Sequence, residues 1–394
     1  MRLIVQICHY PPSRDLSGSL RWHFMARHLQ SMGVTIDILC LKEPRQDYRA
    51  DTPNIHRVPG PLYLRSPFYV TPYFWTFHSR PKLNELLRQG TCDACVFSGP
   101  PFFYFLNARY VKRRFPHVET IVDFRDAWSC NPYIHTLSLP SRILERLIFP
   151  RIEMVCLESV DRAVFSTPMM QRQYEKKYPL LTNKSQVVPN GYDEEKIASV
   201  ERQSTFGRNE RFTIAYIGSL NKKRSPDTLF TALSRMQDIP WKMRVAGPDA
   251  TWWRTNAKRH GIEHRLENLG RLDYASAVKR AFESDLLLLM QAPTRHPCNP
   301  VAAKTYDYLR TGKPLLVMAP LGENRDLVTR LSPCSYTVDN SDVDGCAGAV
   351  RSAFERWREG KTGRYVHPDL YRFSRKEIAR RFFESMVKTG KAES

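Results

Sequence analysis

A chain of 394 residues that is 42% hydrophobic and 25% charged is globular in composition, and long enough for two domains that each bury a core. Sixty Lys and Arg against forty Asp and Glu leave a net charge of +20, which calls for an anionic partner: a nucleic acid, an anionic membrane face or a phosphorylated substrate. Nine scattered cysteines, an odd number, exclude a disulfide-stapled secreted scaffold and read as cytosolic thiols.

The first predicted element is a strand over Leu3–Cys8 in MRLIVQICHYPPSRD. Its apolar run of about six residues is too short for a signal peptide and ends at Pro11-Pro12. The run Leu286–Met290 is also far short of the roughly 20 residues a spanning helix needs. The expected location is therefore cytoplasmic, with peripheral attachment to the inner face of the cell membrane open.

Ser17-Gly18-Ser19 leads into a helix over Leu20–Met32 with Trp22, Met25, Ala26 and Leu29 on one side, capped by Gly33. The small residues let backbone N–H groups approach an anion at the helix start, and Arg21 adds charge one turn in; an ordinary tight turn fits as well. Thr35–Leu41 is the second strand. The aromatic stretch YLRSPFYVTPYFW, residues 63–75, suits either a membrane interface or an interdomain loop. Cys92 and Cys95 form a lone CxxC, without the second pair or histidines a metal site needs.

Strands follow at Ala94–Ser98, Glu119–Phe124 and Arg162–Ser166. Ser98-Gly99-Pro100-Pro101 is a strand-end turn. In VDFRDAW, a buried strand runs straight into alternating charges: Asp123, Arg125 and Asp126 could orient sugar hydroxyls or form a structural ion pair. Val188-Pro189-Asn190-Gly191-Tyr192-Asp193 is a turn by composition.

A second alternating series begins at Phe212. Strands are predicted at Thr213–Gly218, Lys242–Ala246, near Leu269, at Leu286–Met290 and at Leu315–Met318, with helices over Asp227–Met236 and Tyr274–Ala281. Strand–helix alternation means parallel sheets covered on both faces: an α/β chain of two doubly wound halves, expected to bind ligands at the carboxyl ends of the strands in a cleft. The joint is expected in the polar stretch Glu194–Arg211.

Two stretches of this half suit a diphosphate. Gly218-Ser219-Leu220-Asn221-Lys222-Lys223-Arg224 puts three cations beyond a strand end, where a solvated basic turn is the competing reading. In NPVAAKTYDYLRTGKPLLVMAP, residues 299–320, helical spacing of Val301, Ala302, Tyr306 and Leu309 ends at Gly312, and Pro314 opens a strand. The helix start offers free N–H groups and a positive dipole end beside Lys304 and Thr305, while Asp307 one turn on suits ribose hydroxyls. The alternative for Lys304 and Asp307 is a surface ion pair three residues apart.

In this order the segments resemble the family 4 retaining glycosyltransferases of the GT-B fold, over nearly the whole chain. VVPNGYDEEKI is similar to that family's hinge-side turn, FTIAYIGSLNKKRSPDTLFTAL to its strand, basic loop and helix, WKMRVAGPDA to its glycine-ended strand, and AAKTYDYLRTGKPLL to its helix before a Gly-Lys-Pro strand. SGPPFFYF followed by DFRDAW resembles a bacterial subgroup acting on surface polysaccharides.

The resemblance implies an N-terminal acceptor-binding domain over 1–198, a nucleotide-sugar-binding domain over 199–372, and a C-terminal helix, 373–394, packing back on the first. It gives Gly18 a donor phosphate contact, and it assigns Arg224 and Lys304 to the diphosphate and Asp307 to the ribose. Ser19, Gly218, Lys223 and Thr305 are further diphosphate candidates by their place at strand ends and helix starts, and Asn299 is a candidate for the donor sugar. Asn299 stands where the family carries the first glutamate of its Glu-x7-Glu pair. Arg125, Asp126 and His9 are the candidates for the reacting sugar and acceptor, with Arg21 and Asp123 as further acceptor contacts. The co-substrate is a nucleoside diphosphate sugar, with no cofactor and no metal expected. A nucleotide-sugar 2-epimerase shares this architecture, and a basic nucleic-acid-binding protein is the rival from another class, although the charge is dispersed and carries no recognised binding motif.

Overall fold

The computed structural model describes residues 1–10, 20–42, 54–60, 71–131, 139–204, 207, 209–219, 225–294, 300–361 and 363–392. The chain divides by internal packing into two compact units: Met1–Asn190 with His296–Pro300 and Arg375–Ser394, and Gly191–Arg295 with Val301–Ser374.

Seven parallel strands build the first unit: β1 (Arg2–Gln6), β2 (Thr35–Leu41), β3 (Asn54–Val58), β4 (Ala94–Gly99), β5 (Glu119–Phe124), β6 (Arg162–Phe165) and β7 (Ser185–Val187), in the order β3-β2-β1-β4-β5-β6-β7. The central strand β1 is apolar on both faces because both are covered. Ile4 enters a core with the helices Arg80–Arg88, Leu106–Arg114, Phe149–Glu158 and Pro168–Lys177, while Leu3 and Val5 face Leu20–Ser31 and Arg375–Ala392. Trp22 meets Phe382 edge to face at 6.0 Å, so the last helix of the chain packs on the first.

The second unit repeats the plan with six parallel strands: β8 (Phe212–Ile217), β9 (Trp241–Ala246), β10 (Leu266–Asn268), β11 (Leu286–Met290), β12 (Leu315–Met318) and β13 (Tyr336–Val338), ordered β10-β9-β8-β11-β12-β13. The helices Asp227–Ser234, Ala250–Arg259 and Val343–Arg358 cover one face; Glu194–Arg202, Tyr274–Phe282, Ala303–Thr311 and Glu323–Leu331 cover the other.

The units divide before Gly191, not at 198/199. Gly191 takes a left-handed φ of +66°, Asp193 caps the Glu194–Arg202 helix by accepting from the Lys196 N–H, and Ile197 and Val200 of that helix enter the second core. Arg310 holds the same helix, with Nε 2.7 Å and Nη2 2.6 Å from the two Glu194 oxygens. At the other end, Phe373 packs on Tyr306 with ring centroids 5.3 Å apart and stays with the second unit.

The strand order reverses once in each sheet, between β1 and β4 and between β8 and β11. In open parallel sheets the carboxyl ends beside such a reversal form the ligand crevice.

Candidate active site

In the second unit, backbone and cation converge at the β8/β11 reversal. β8 ends at Ile217 and is followed by Gly218, whose φ of +134° is open to glycine and strained for other residues. A Cβ built there would lie 3.3 Å from the Lys304 Nζ. Gly247, directly after the neighbouring strand β9, has a φ of +158°, and a Cβ on it would stand 2.4 Å from the Gly218 carbonyl oxygen. Two glycines directly after strand ends are thus packed against each other, with the lysine ammonium over one of them.

Lys304 reaches this point from the second position of the Ala303–Thr311 helix. Its Nζ is 3.4 Å from the Ile217 carbonyl and 4.0 Å from the Tyr216 ring centroid, so one dipole and one π face hold the charge. Ala302 occupies the N-cap and has no side-chain oxygen to close it, which leaves the positive helix end to other groups. Tyr308 fixes the same helix to the strand: the Ile217 N–H donates to its hydroxyl at 3.1 Å, and the hydroxyl lies 3.3 Å from the Ile217 carbonyl. Gly312 closes the helix in the left-handed region at φ +70°.

One turn beyond Lys304, Asp307 accepts a hydrogen bond from the Tyr274 hydroxyl at 3.0 Å. A carboxylate that accepts from a tyrosine, beside an ammonium, can take up a sugar hydroxyl next to an anion. Thr305 requires a correction. Its side chain is fully buried and donates to Asn324 Oδ1 at 2.7 Å, and the Asn324 amide donates on to Gln291 Oε1 at 3.2 Å. Its N–H is also taken, by the Ala302 carbonyl at 2.9 Å. Thr305 therefore anchors the helix from behind and does not present its hydroxyl to a phosphate.

In the first unit, the expected acceptor residues Arg21 and Asp123 lie in the interior. Arg21 Nε and Nη2 each approach one Asp123 oxygen at 3.1 Å, and the Trp22 indole N–H and the Ser98 hydroxyl donate to Oδ2, both at 2.8 Å. Arg21 also donates to the Pro189 carbonyl at 3.0 Å. This corrects their role: the carboxylate is enclosed by its own fold and ties the first helix to β4 and β5.

Arg125 is buried as well. Its Nε donates to the Gly99 carbonyl at 2.8 Å and Nη2 to the Pro100 carbonyl at 2.7 Å, bracing the turn after β4, while its own carbonyl accepts from the Ser166 hydroxyl at 3.0 Å. Asp126, the next residue, is exposed. Desolvation by the neighbouring protein still pushes its pKa up, against the pull of the Arg125 charge. His9 is half-buried just past β1, at the β1/β4 reversal.

Behind the Asp126 loop, buried Glu153 accepts from the hydroxyls of Tyr174 at 2.8 Å and Tyr178 at 2.7 Å and from Ser129, and burial pushes its pKa up. Tyr174 also accepts from the Trp128 N–H at 2.7 Å, so this network sets the loop's position. Cys92 and Cys95 are both buried in the apolar core.

The structure therefore brings Gly218, Lys304 and Asp307 together in one unit, and Arg125, Asp126 and the end of β5 in the other. Gly18, Ser19, Lys223, Arg224 and Asn299 lie outside the described residues, as do residues 63–70 of the aromatic stretch. Sequence reading missed Tyr274, Tyr308 and the Asn324–Gln291 pair. A tyrosine at a helix start or in an apolar helix face carries no distinguishing pattern, and only the fold shows where its hydroxyl goes.

Residues 21–196 match the family model described as Glycosyltransferase Family 4. No curated protein matches the chain. Among solved structures, the chain is similar to sucrose-phosphate synthase from Thermosynechococcus elongatus, with 13% identity, a TM-score of 0.76 and full coverage of both chains. It is similar to Anabaena HepE in complex with UDP and glucose, at 12% identity and a TM-score of 0.68, covering 98% of this chain and 100% of that one. The catalytic domain of starch synthase IV from Arabidopsis thaliana bound to ADP and acarbose also matches, at 13% identity and a TM-score of 0.66, with 98% of each chain covered. At these identities the likeness is one of fold, and the fold is the two-domain GT-B arrangement of Rossmann-like sheets.

Proposed function

We propose that the protein is a glycosyltransferase that moves a sugar from a nucleoside diphosphate donor to a hydroxyl of a glycan or lipid-linked acceptor. The family match over the first unit and the nucleotide-bound neighbours support this reading. The observation that carries it is the convergence at the β8/β11 reversal: an ammonium, a helix N-terminus with alanine at its N-cap and two glycines directly after strand ends, with a carboxylate that accepts from a tyrosine one turn away.

Breaking the bond from the anomeric carbon to the diphosphate leaves charge on the phosphate oxygens. Lys304 and the helix N-terminus stabilise that charge as it develops, and because both are already in place they need little reorganisation in the transition state. Lys223 and Arg224 add to this positive field in the same reading. Asp307, held by Tyr274, takes the ribose. In the first unit Asp126 orients the acceptor hydroxyl, and Arg125 positions Asp126 by bracing the turn after β4. Retention of anomeric configuration, and a role in bacterial surface polysaccharide synthesis, rest on the family resemblance. Since protein cations serve the leaving group, the reaction is expected to run in the presence of a chelator.

The test is thermal unfolding of the wild type and of Lys304→Ala and Asp307→Ala against UDP, GDP, ADP and CMP. A diphosphate at about a hundred times its Kd stabilises by roughly 2.7 kcal/mol, a shift of a few degrees. One diphosphate should shift the wild type, and neither variant to the same extent. If no nucleotide shifts the melt while oligonucleotides do so at low salt, the protein is a nucleic-acid binder and the proposal fails.

A further inference from the structure

The first unit carries an apolar surface that the transfer reaction does not use. Five of the thirteen large apolar side chains exposed among the described residues fall within the ten positions 139–148: Leu139 at 68%, Leu147 at 56%, Ile143 at 49%, and Leu144 and Ile148. They lie on the short helix Leu139–Ile143 and the π-helical turn Leu144–Ile148 that follows it. Isolated exposed leucines need no explanation, but a run this dense does.

The charges around the run are of one sign. Arg146 and Arg151 are exposed and Arg142 is half-buried beside them. The sole carboxylate in the stretch, Glu145, turns inward, accepts from the Asn131 amide at 3.3 Å, and has its pKa pushed up by burial. The outward face is therefore apolar and cationic.

A second basic feature lies on a neighbouring helix of the same unit. Phe149, which follows Ile148, meets Phe103 edge to face at 5.6 Å, and the Phe149–Glu158 helix packs on Leu106–Arg114. Across the latter helix lies a recess of about 380 Å³ lined by Arg80, Arg109, Arg113 and Arg114 around Tyr110. The Arg80 guanidinium lies over the rings of Phe77 at 4.6 Å and Tyr110 at 5.2 Å, and Phe77 is itself more than half exposed. Among the described residues none of these four arginines is paired with a carboxylate.

We infer that this face docks on an anionic lipid bilayer, with Leu139, Ile143, Leu147 and Ile148 entering the acyl boundary and the arginine recess receiving lipid phosphates. Charge complementarity decides the occupant. A second copy placed on this face would set Arg142, Arg146 and Arg151 against a copy that is equally cationic, whereas an anionic leaflet attracts them. Among the described residues no helix is long and apolar enough to cross a membrane, so attachment is by the surface. The inference is independent of the sugar-transfer reading and is tested without it.

Co-sedimentation compares vesicles of phosphatidylcholine alone with vesicles containing about a third phosphatidylglycerol. The wild type should pellet with the anionic vesicles only, and less as salt rises. Arg113→Ser and Arg114→Ser should each lower the partition coefficient about five-fold. Leu147→Glu with Ile148→Glu should lower it by more than about ten-fold, with the melting temperature unchanged because both side chains are exposed. No pelleting with anionic vesicles, or full pelleting of the double variant, overturns the inference. So does a wild-type dimer that Leu147→Glu converts to monomer without any vesicle binding, which would make the face an interface between copies.

Discussion

The Lys304 ammonium lies 3.3 Å from the point that a Cβ on Gly218 would occupy, so the strand end and the helix start are fitted to each other around the absence of one methyl group. Gly218→Ala brings two effects together. The φ of +134° becomes strained, which costs roughly 1–3 kcal/mol, and the methyl displaces the ammonium. The variant should melt lower than wild type and lose most of its shift with the cognate nucleoside diphosphate. A variant that melts lower but keeps the full ligand shift would show that Lys304 does not serve the phosphates.

Tyr274→Phe removes a single hydroxyl, the one that donates to Asp307 at 3.0 Å. The carboxylate remains but loses this hydrogen bond, so affinity for the nucleotide should fall about three- to ten-fold, a modest share of a hydrogen bond to a charged group. Asp307→Asn should cost more, because a weaker acceptor is left for the ribose. Titration calorimetry with the nucleoside diphosphate ranks the two. If Tyr274→Phe binds as wild type while Asp307→Asn does not, the tyrosine is a bystander.

The architecture was legible in the sequence because the central strands are apolar on both faces. Thr35–Leu41, Glu119–Phe124, Leu286–Met290 and Leu315–Met318 stand where the pattern of their residues puts them. The edges were not legible. Asn54–Val58, Ser185–Val187 and Tyr336–Val338 are short and partly polar, since one side of an edge strand and part of its faces meet solvent, and no two-residue period survives. At the candidate site the sequence singled out charges and could not tell which face of the fold they meet. Lys304 and Asp307 share one face, three residues apart. Thr305 between them points inward, and Asp123 and Arg21 close on each other, because helical phase and tertiary packing decide orientation and neither is visible in residue type.

The Asp123 network makes a stability prediction. Asp123→Ala leaves the Arg21 guanidinium buried without its carboxylate and deprives Trp22 and Ser98 of their acceptor. Breaking a buried pair on one side costs about 3–5 kcal/mol. Urea unfolding of Asp123→Ala should show a loss of this size. A loss below about 1 kcal/mol, the value for an exposed pair, would mean that the network adds nothing beyond surface charge.

Asp126 joins stability and activity with opposite signs. Its folded pKa is raised by desolvation, with the Arg125 charge opposing, so ionisation of this carboxyl works against the fold. That penalty is absent below the unfolded pKa, near the ordinary aspartate value of about 3.9, and is fully developed above the raised folded value. At neutral pH Asp126→Asn should therefore melt slightly higher than wild type, and the difference should vanish in acid. Turnover should move the other way. If the ionised carboxylate orients the acceptor hydroxyl, wild-type activity declines as pH falls through the raised pKa, and Asp126→Asn is slow throughout, with that acid limb gone from its pH profile. A variant that turns over at the wild-type rate with the same acid limb would remove Asp126 from the acceptor site.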